Sequence, residues 1–255
     1  MRSSGITLKK SLGQHFLQDE NICRKIISAL RERPFHQLLE VGPGAGALTK
    51  YILEMGDIKF RTIEVDAEKV DYLQRNFPLL RDRIIHQDFL ESNKPFEGRF
   101  TVVGNFPYNI SSQILFKILE WKEDVECVIG MFQKEVAQRI AAREGNKVYG
   151  VLSVLVQAFY DVQFLFEVHE QSFYPPPRVK SAVIRLLPRK DTPHMRTEKD
   201  FFRLVKTAFN QRRKTLRNAV KELFDPETLR SDIFDKRAEQ LKVEDFARLT
   251  FAMKP

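Results

Sequence analysis

The chain has 255 residues, a length that fits one large domain or one domain with a small second one. Hydrophobic residues make up 43% and charged residues 30%, as in a soluble globular protein, and 2 cysteines are too few for a disulfide framework or a thiolate metal cluster. Because the amino terminus is polar and no apolar run approaches about 18 residues, we expect a cytoplasmic protein that is neither secreted nor membrane-spanning.

The net charge of +8 comes from one segment. Residues 189–221 contain 11 Lys and Arg but only 3 Asp and Glu, so the rest of the chain is balanced. A basic block of this kind usually contacts a polyanion. We therefore expect a polyanionic partner for the carboxyl-terminal part of the chain.

The first predicted helix follows Asp19, a residue typical of a helix N-cap, and runs to about Arg31. Strands and helices alternate after it. The predicted strands are 38–41, 58–65, 83–87, 100–103, 125–131, 162–168 and 179–187, and the predicted helices are 47–55, 67–77, 110–121, 133–143 and 149–159. This alternation favours an α/β fold with a mostly parallel, Rossmann-like sheet, in which the last two strands are candidates for an antiparallel edge pair.

After Pro188 a charged linker leads into a segment with only helical patterns. Phe201, Val205 and Phe209 mark one apolar face of its first helix. We therefore predict two domains: a sheet domain with an amino-terminal arm over residues 1–188, and a small, basic, all-helical domain over residues 189–255.

Residues suited to ligand binding follow four of the predicted strands. Gly42 and Gly44 follow the first, Glu64 ends the second, 22 residues after Gly42, and Asp88 follows the third. In an open parallel sheet, ligands bind beyond the carboxyl ends of the strands. The glycines let the backbone approach a ligand, Glu64 is placed to accept two ribose hydroxyls, and Asp88 is placed to bond an adenine amino group. By itself the glycine turn also fits the dinucleotide pattern of NAD enzymes.

The tetrad Asn105-Phe106-Pro107-Tyr108 follows the fourth strand, and we predict that it is the reacting centre. Pro107 keeps Phe106 extended with its carbonyl free, Asn105 adds a side-chain acceptor, and Tyr108 adds a flat apolar face. Two acceptors beside a ring suit adenine, because they can take both amino hydrogens and turn the nitrogen lone pair toward an electrophile.

Taken together, the four strand ends match a sheet that binds S-adenosylmethionine and methylates an amino group. That chemistry needs no metal and no nucleophilic side chain, because the cofactor brings the electrophile.

Nearly the whole chain resembles the KsgA family of ribosomal small-subunit RNA adenine dimethyltransferases. The matching stretches are 10–17 (KSLGQHFL), 39–44 (LEVGPG), 64–66 (EVD), 87–88 (QD), 104–111 (GNFPYNIS), 173–181 (FYPPPRVKS) and 209–218 (FNQRRKTLRN). The chain departs from the family at two positions, since it has His15 where many members have Asn and Phe106 where many have Leu.

The resemblance implies S-adenosylmethionine as the cofactor and assigns roles to individual residues. It implies that the target adenine is sandwiched by Tyr108 and Phe173, and the prolines after Tyr174 would hold Phe173 or Tyr174 in place. Cofactor contacts are implied for His15, Leu17, Gly42, Gly44, Glu64, Asp88 and Asn105. RNA contacts are expected from Arg178, Arg212, Arg213, Lys214 and Arg217.

The implied reaction places two methyl groups on N6 of each of two adjacent adenosines, in a hairpin loop near the 3′ end of small-subunit ribosomal RNA. Proteins read such loops because their bases can unstack onto aromatic rings. We expect a monomer that acts during ribosome biogenesis. Besides an NAD enzyme, two alternatives stay open: an Erm-type methyltransferase of large-subunit RNA, and a non-catalytic ribosome-assembly or transcription factor on the same fold.

Overall fold

The structure is a computed structural model that describes residues 15–255, so residues 10–14 of the amino-terminal motif lie outside the described part. The chain divides into two compact units. Of the described residues, one unit holds 15–137 together with Gln163–Pro188, and the other holds Gln138–Val162 together with Arg189–Pro255.

The strands of the described residues carry the site. In chain order they are β1 Phe16–Leu17, β2 Gln37–Val41, β3 Lys59–Glu64, β4 Ile84–His86, β5 Phe100–Asn105, β6 Val125–Gln133, β7 Tyr160–Val168, β8 Phe173–Tyr174 and β9 Ser181–Pro188. The main sheet has the order β4-β3-β2-β5-β6-β9-β7. Strands β2 to β6 pair in parallel, as predicted, and β9 is antiparallel to β6 and a neighbour of β7.

The helices of the described residues are α1 Glu20–Arg31, α2 Thr49–Ile52, α3 Ala67–Asn76, α4 Ser111–Glu120, α5 Lys134–Ala141, α6 Val151–Gln157, α7 Glu198–Asn210, α8 Leu216–Ala219 and α9 Val243–Leu249. Helix α1 begins where predicted, because the Asp19 carboxylate accepts hydrogen bonds from the N–H groups of Asn21 and Ile22 at 3.0 and 3.3 Å. None of these helices combines the length and apolarity that crossing a bilayer requires.

Two elements differ from the predicted lengths in ways that shape the site. Helix α2 is a single turn, Thr49–Ile52, rather than the predicted 47–55. Strand β5 is longer than predicted and includes Gly104 and Asn105. The Asn105 side chain therefore starts from a rigid strand end.

The parallel strands are buried on both faces, which explains their nearly continuous apolar sequences. Leu38 and Leu39 in β2 and Val102 and Val103 in β5 are all fully buried. Because β2 pairs with both β3 and β5, the carboxyl ends of these strands lie side by side at one edge of the sheet.

The segment Gln138–Val162 belongs to the second unit, whereas the sequence analysis had assigned it to the sheet domain. Helix α6 in this segment packs with α7 and α9 of the same unit. The apolar pattern of α6 predicts that one face is buried, but it does not identify the surface that buries it.

Candidate active site

A cavity of about 250 Å³ opens at the carboxyl ends of β2, β3 and β5. The predicted residues that line it are His15, Leu17, Gly42, Gly44, Glu64, Asp88, Asn105, Phe106, Pro107 and Tyr108. The glycine turn and the Asn-Phe-Pro-Tyr tetrad therefore share one open space.

The glycine turn presents backbone to the cavity. Gly42 and Gly44 have φ values of +66° and +58°, in the left-handed region that favours glycine. A Cβ on Gly44 would lie 3.2 Å from the ring of Phe16, which also lines the cavity. A side chain at Gly44 would be strained and crowded, so glycine keeps the backbone of the turn uncovered by side chains, although the Gly42 N–H itself donates to the Ile63 carbonyl at 3.0 Å.

The two predicted carboxylates are each fixed through one oxygen. Oε1 of Glu64 accepts hydrogen bonds from the N–H groups of Val65 and Asp66 at 3.1 and 3.0 Å. Oδ1 of Asp88 accepts one from the N–H of Leu90 at 2.9 Å. The second oxygen of Glu64 and of Asp88 forms no hydrogen bond with any residue in 15–255, so each carboxylate keeps an oriented acceptor for a ligand.

Glu40 is a cavity residue that the sequence analysis did not assign. It is almost fully buried, and the Thr49 hydroxyl donates a hydrogen bond to its Oε2 at 2.6 Å. Burial raises the pKa of Glu40 to about 8, and the nearby Glu64 carboxylate adds to the rise. Glu40 is therefore mostly protonated near neutral pH. A lone acid inside the apolar strand LLEV was the signal that could have identified it.

The amide of Asn105 has a defined orientation. Its Nδ2 donates a hydrogen bond to the backbone carbonyl of His15 at 3.0 Å. Because a carbonyl oxygen only accepts, this bond fixes the NH2 side of the amide, and Oδ1 has no hydrogen-bond partner among residues 15–255. The Phe106 N–H donates to the carbonyl of Met131 at 3.2 Å, and none of the hydrogen bonds between residues 15–255 uses the Phe106 carbonyl.

The ring of Phe106 fixes the turn by packing in the core. It is fully buried and packs edge-on against Phe132, with 5.1 Å between ring centroids. It also lies over Gly104 and Gly130, which pair across β5 and β6, and a Cβ on these glycines would lie 2.7 and 2.6 Å from the ring. The two glycines thus leave the space that the Phe106 ring occupies, and no Cβ fits at either position.

Tyr108 is held at both ends. Its ring stacks on His15 at 5.4 Å with an interplanar angle of 30°, and its hydroxyl forms a hydrogen bond with the hydroxyl of buried Ser181. Burial raises the pKa of Tyr108, so the phenol is neutral at physiological pH. His15 is itself tied through Nδ1, which donates to the carbonyl of Pro175 at 2.8 Å. Ser181 was missed as a site residue, although it ends the matching stretch 173–181.

Phe173 is not part of the cavity wall. Its side chain is 3% exposed and packs in the core with Leu17 and Val168. The structure therefore does not bring Phe173 and Tyr108 to a common space, and the role of Phe173 as a partner of the adenine stays a prediction.

Some of the residues predicted to contact RNA already form hydrogen bonds or ion pairs within the protein. Arg212 donates hydrogen bonds to the carbonyls of Lys147 and Tyr149 at 2.7 and 2.9 Å. Arg217 donates to the Leu229 carbonyl and forms an ion pair with Asp235, each at 2.8 Å. Both guanidinium groups are therefore engaged in contacts within the helical unit.

Arg178, Arg213 and Lys214 are exposed. None of the hydrogen bonds or ion pairs between residues 15–255 engages the side chains of Arg213 and Lys214. These side chains are therefore open to phosphates.

Comparisons with known proteins agree along nearly the whole length. The model of the family described as Ribosomal RNA adenine dimethylase matches residues 5–253. The chain is 52% identical over 249 residues to Ribosomal RNA small subunit methyltransferase A of Flavobacterium johnsoniae, covering 96% of this chain and 95% of that one. It is 49% identical over 250 residues to the protein of the same name from Cytophaga hutchinsonii, covering 96% of each.

Solved structures show the same fold. A dimethyladenosine transferase from Plasmodium falciparum matches with a TM-score of 0.79 and 26% identity over 92% of this chain and 96% of that one. The 23S rRNA methyltransferase ErmE matches with a TM-score of 0.67 and 22% identity over 91% and 99%. The fold is thus the Rossmann-like fold of S-adenosylmethionine-dependent methyltransferases, and the chain is an enzyme that belongs to the ribosomal RNA adenine dimethylase family.

Proposed function

We propose that this enzyme uses S-adenosylmethionine to place two methyl groups on N6 of each of two adjacent adenosines, in a hairpin loop near the 3′ end of small-subunit ribosomal RNA. The supporting observation is that Asn105 and Phe106 line the same cavity as Gly42, Glu64 and Asp88. The relatives at 52% and 49% identity carry the name of a small-subunit methyltransferase, which favours that substrate over large-subunit RNA.

The cofactor end of the cavity fits S-adenosylmethionine. The bare backbone at Gly42 and Gly44 admits a ligand, the second oxygen of Glu64 suits a pair of ribose hydroxyls, and that of Asp88 suits an adenine amino group. The cofactor supplies a methyl group on a sulfonium, so the protein needs no nucleophile of its own.

The acceptor end fits the amino group of a target adenine. Oδ1 of Asn105 and the carbonyl of Phe106 accept its two hydrogens, which turns the nitrogen lone pair out of the ring plane. The neutral ring of Tyr108 offers the base a flat face. Amide and peptide oxygens hold the hydrogens without removing them, so the released proton passes to water. The main contribution of the protein is alignment of the reacting atoms.

The open cations of the helical unit support an RNA substrate. Arg213 and Lys214 are two exposed cations of the basic segment, and their side chains suit phosphates of the hairpin. We infer that the enzyme acts as a monomer, because one chain supplies both ends of the cavity.

The deciding experiment incubates immature small subunits from cells that lack the enzyme, and large subunits in a parallel reaction, with labelled S-adenosylmethionine and analyses the digested RNA. We expect N6-dimethyladenosine at two neighbouring positions. Asn105→Ala should lower turnover by about 100-fold or more, because the amino group of the target adenine loses one of the two oxygens that accept its hydrogens.

Asn76→Ala is the matched control, since the Asn76 amide also donates to a backbone carbonyl, that of Tyr72, but on helix α3 away from the cavity wall. Methylation of large subunits instead would indicate an Erm-type enzyme. Cofactor binding without any methyl transfer would indicate a non-catalytic role and contradict the proposal.

A further inference from the structure

In the small sheet of β1 and β8, the neighbouring rings of Phe173 and Tyr174 point to opposite faces. Phe16 pairs with Tyr174, and Leu17 pairs with Phe173. In an antiparallel pair, opposed residues share a face and consecutive residues alternate between faces. Leu17 and Phe173 belong to the core, so Phe16 and Tyr174 share the other face.

That other face borders the active-site cavity. Phe16 lines the cavity, and the Lys69 ammonium lies 5.4 Å from the centre of its ring. Tyr174, directly across from Phe16, is 50% exposed. The next residue, Pro175, accepts the hydrogen bond from His15, whose ring stacks on Tyr108. Tyr174 does not line the cavity itself but lies beside the cavity-lining Phe16, and we call this exposed surface next to the cavity the rim.

The surroundings of Tyr174 suit single-stranded nucleic acid. Arg178 and Lys180 follow it in the same segment and are exposed. Val179 is also 46% exposed, so the rim combines apolar surface with positive charge. Aromatic rings beside cations bind unpaired bases by stacking while the cations meet the phosphates.

We propose that Tyr174 stacks on the unpaired base next to the target adenosine in the bound RNA. The inference rests on the proposed function, because an adjacent adenosine remains outside the cavity while its neighbour occupies it. Phe173 then acts indirectly, since its buried ring fixes β8 to the core and so holds Tyr174 at the rim.

The test uses a hairpin RNA with 2-aminopurine beside the target adenosine, whose fluorescence is quenched by stacking. Tyr174→Ala should weaken RNA binding and raise the KM for RNA by about tenfold, the order expected for one lost base–aromatic stack. Quenching should disappear, while kcat and S-adenosylmethionine affinity stay at the wild-type level. Tyr174→Trp should keep both binding and quenching.

Phe164→Ala is the matched control, because Phe164 is an aromatic residue 40% exposed on β7 and outside the cavity wall. It should behave as the wild type. Phe173→Ala should lower the melting temperature. Wild-type KM and quenching in Tyr174→Ala would overturn the inference, and so would loss of quenching in Phe173→Ala at an unchanged melting temperature.

The two proposals fail in distinguishable ways. Absence of methylation by the wild-type enzyme on either subunit would defeat the proposed function. The quenching comparison between Tyr174→Ala and Phe164→Ala would still decide whether Tyr174 contacts a base.

Discussion

A substitution at Gly130 would test whether catalysis depends on the exact position of the turn that carries Asn105 and Phe106. A Cβ at this position would lie 2.6 Å from Cε2 of Phe106 and 2.6 Å from Cε2 of Phe132. Both distances are about 1 Å short of ordinary carbon–carbon contact. Both rings are fully buried, so neither can turn into solvent, and because they pack against each other we expect the ring of Phe106 to shift. The Phe106 carbonyl, one of the two proposed holders of the amino group, shifts with it.

We therefore expect Gly130→Ala to act on turnover more than on cofactor binding. Overpacking of this size costs about 1–3 kcal/mol of stability. A displacement of about 1 Å at a reacting group lowers the rate by about 100-fold. Gly130 is not part of the cavity wall, so the affinity for S-adenosylmethionine should stay unchanged. Single-turnover methylation, cofactor titration and thermal unfolding measure the three quantities separately.

Gly150→Ala is the matched control, because Gly150 has an extended φ of −168° and an added Cβ there meets no atom within 4 Å. In a double variant, Phe106→Leu should restore part of the turnover that Gly130→Ala loses, since the smaller side chain frees space for Phe132. Full turnover by Gly130→Ala, or a loss of cofactor affinity as large as the loss of turnover, would refute the reasoning.

Two further predictions address RNA binding and pH. Arg213→Glu should weaken RNA binding and reduce the slope of log affinity against log salt by about 1, with cofactor affinity intact, whereas Arg230→Glu, an exposed cation outside the basic segment, should do neither. A loss of cofactor affinity in Arg213→Glu as large as its loss of RNA affinity would contradict this prediction. The pKa of Glu40 is raised to about 8 from 4.5, so its contribution to stability is complete below pH 4.5 and is lost as the pH rises through 8. Between pH 4.5 and about 8, the unfolding free energy of the wild type should therefore fall relative to that of Glu40→Gln, by up to about 1.4 kcal/mol per pH unit. A difference between the two proteins that does not change with pH would contradict the role of Glu40.

Residues whose roles depend on local sequence were predictable. Asp19 caps α1 as its position suggested, because a cap needs only the next few N–H groups. Asn105 and Tyr108 were found because a proline stiffens the turn that carries them, and Gly42 because its turn follows a buried strand. All three line the cavity.

Roles that depend on distant parts of the chain were not predictable. Arg212 and Arg217 look like Arg213 in the sequence, yet only the folded helical unit shows that their guanidinium groups are engaged. Ser181 reaches Tyr108 across 73 positions of sequence, and nothing near Ser181 indicates that contact. Helix α6 shows an apolar face without indicating which unit covers it.

The sequence by itself determined the alternation of strands and helices, the glycine turn, the tetrad and the family, since these depend on short stretches and their spacing. Only the tertiary structure decided that Tyr174 rather than Phe173 shares a face of the small sheet with the cavity residue Phe16, and that Gly104 and Gly130 leave the space for the Phe106 ring. The physical reason is strand register: side chains alternate between faces, so pairing with a distant strand decides which of two neighbouring rings is buried.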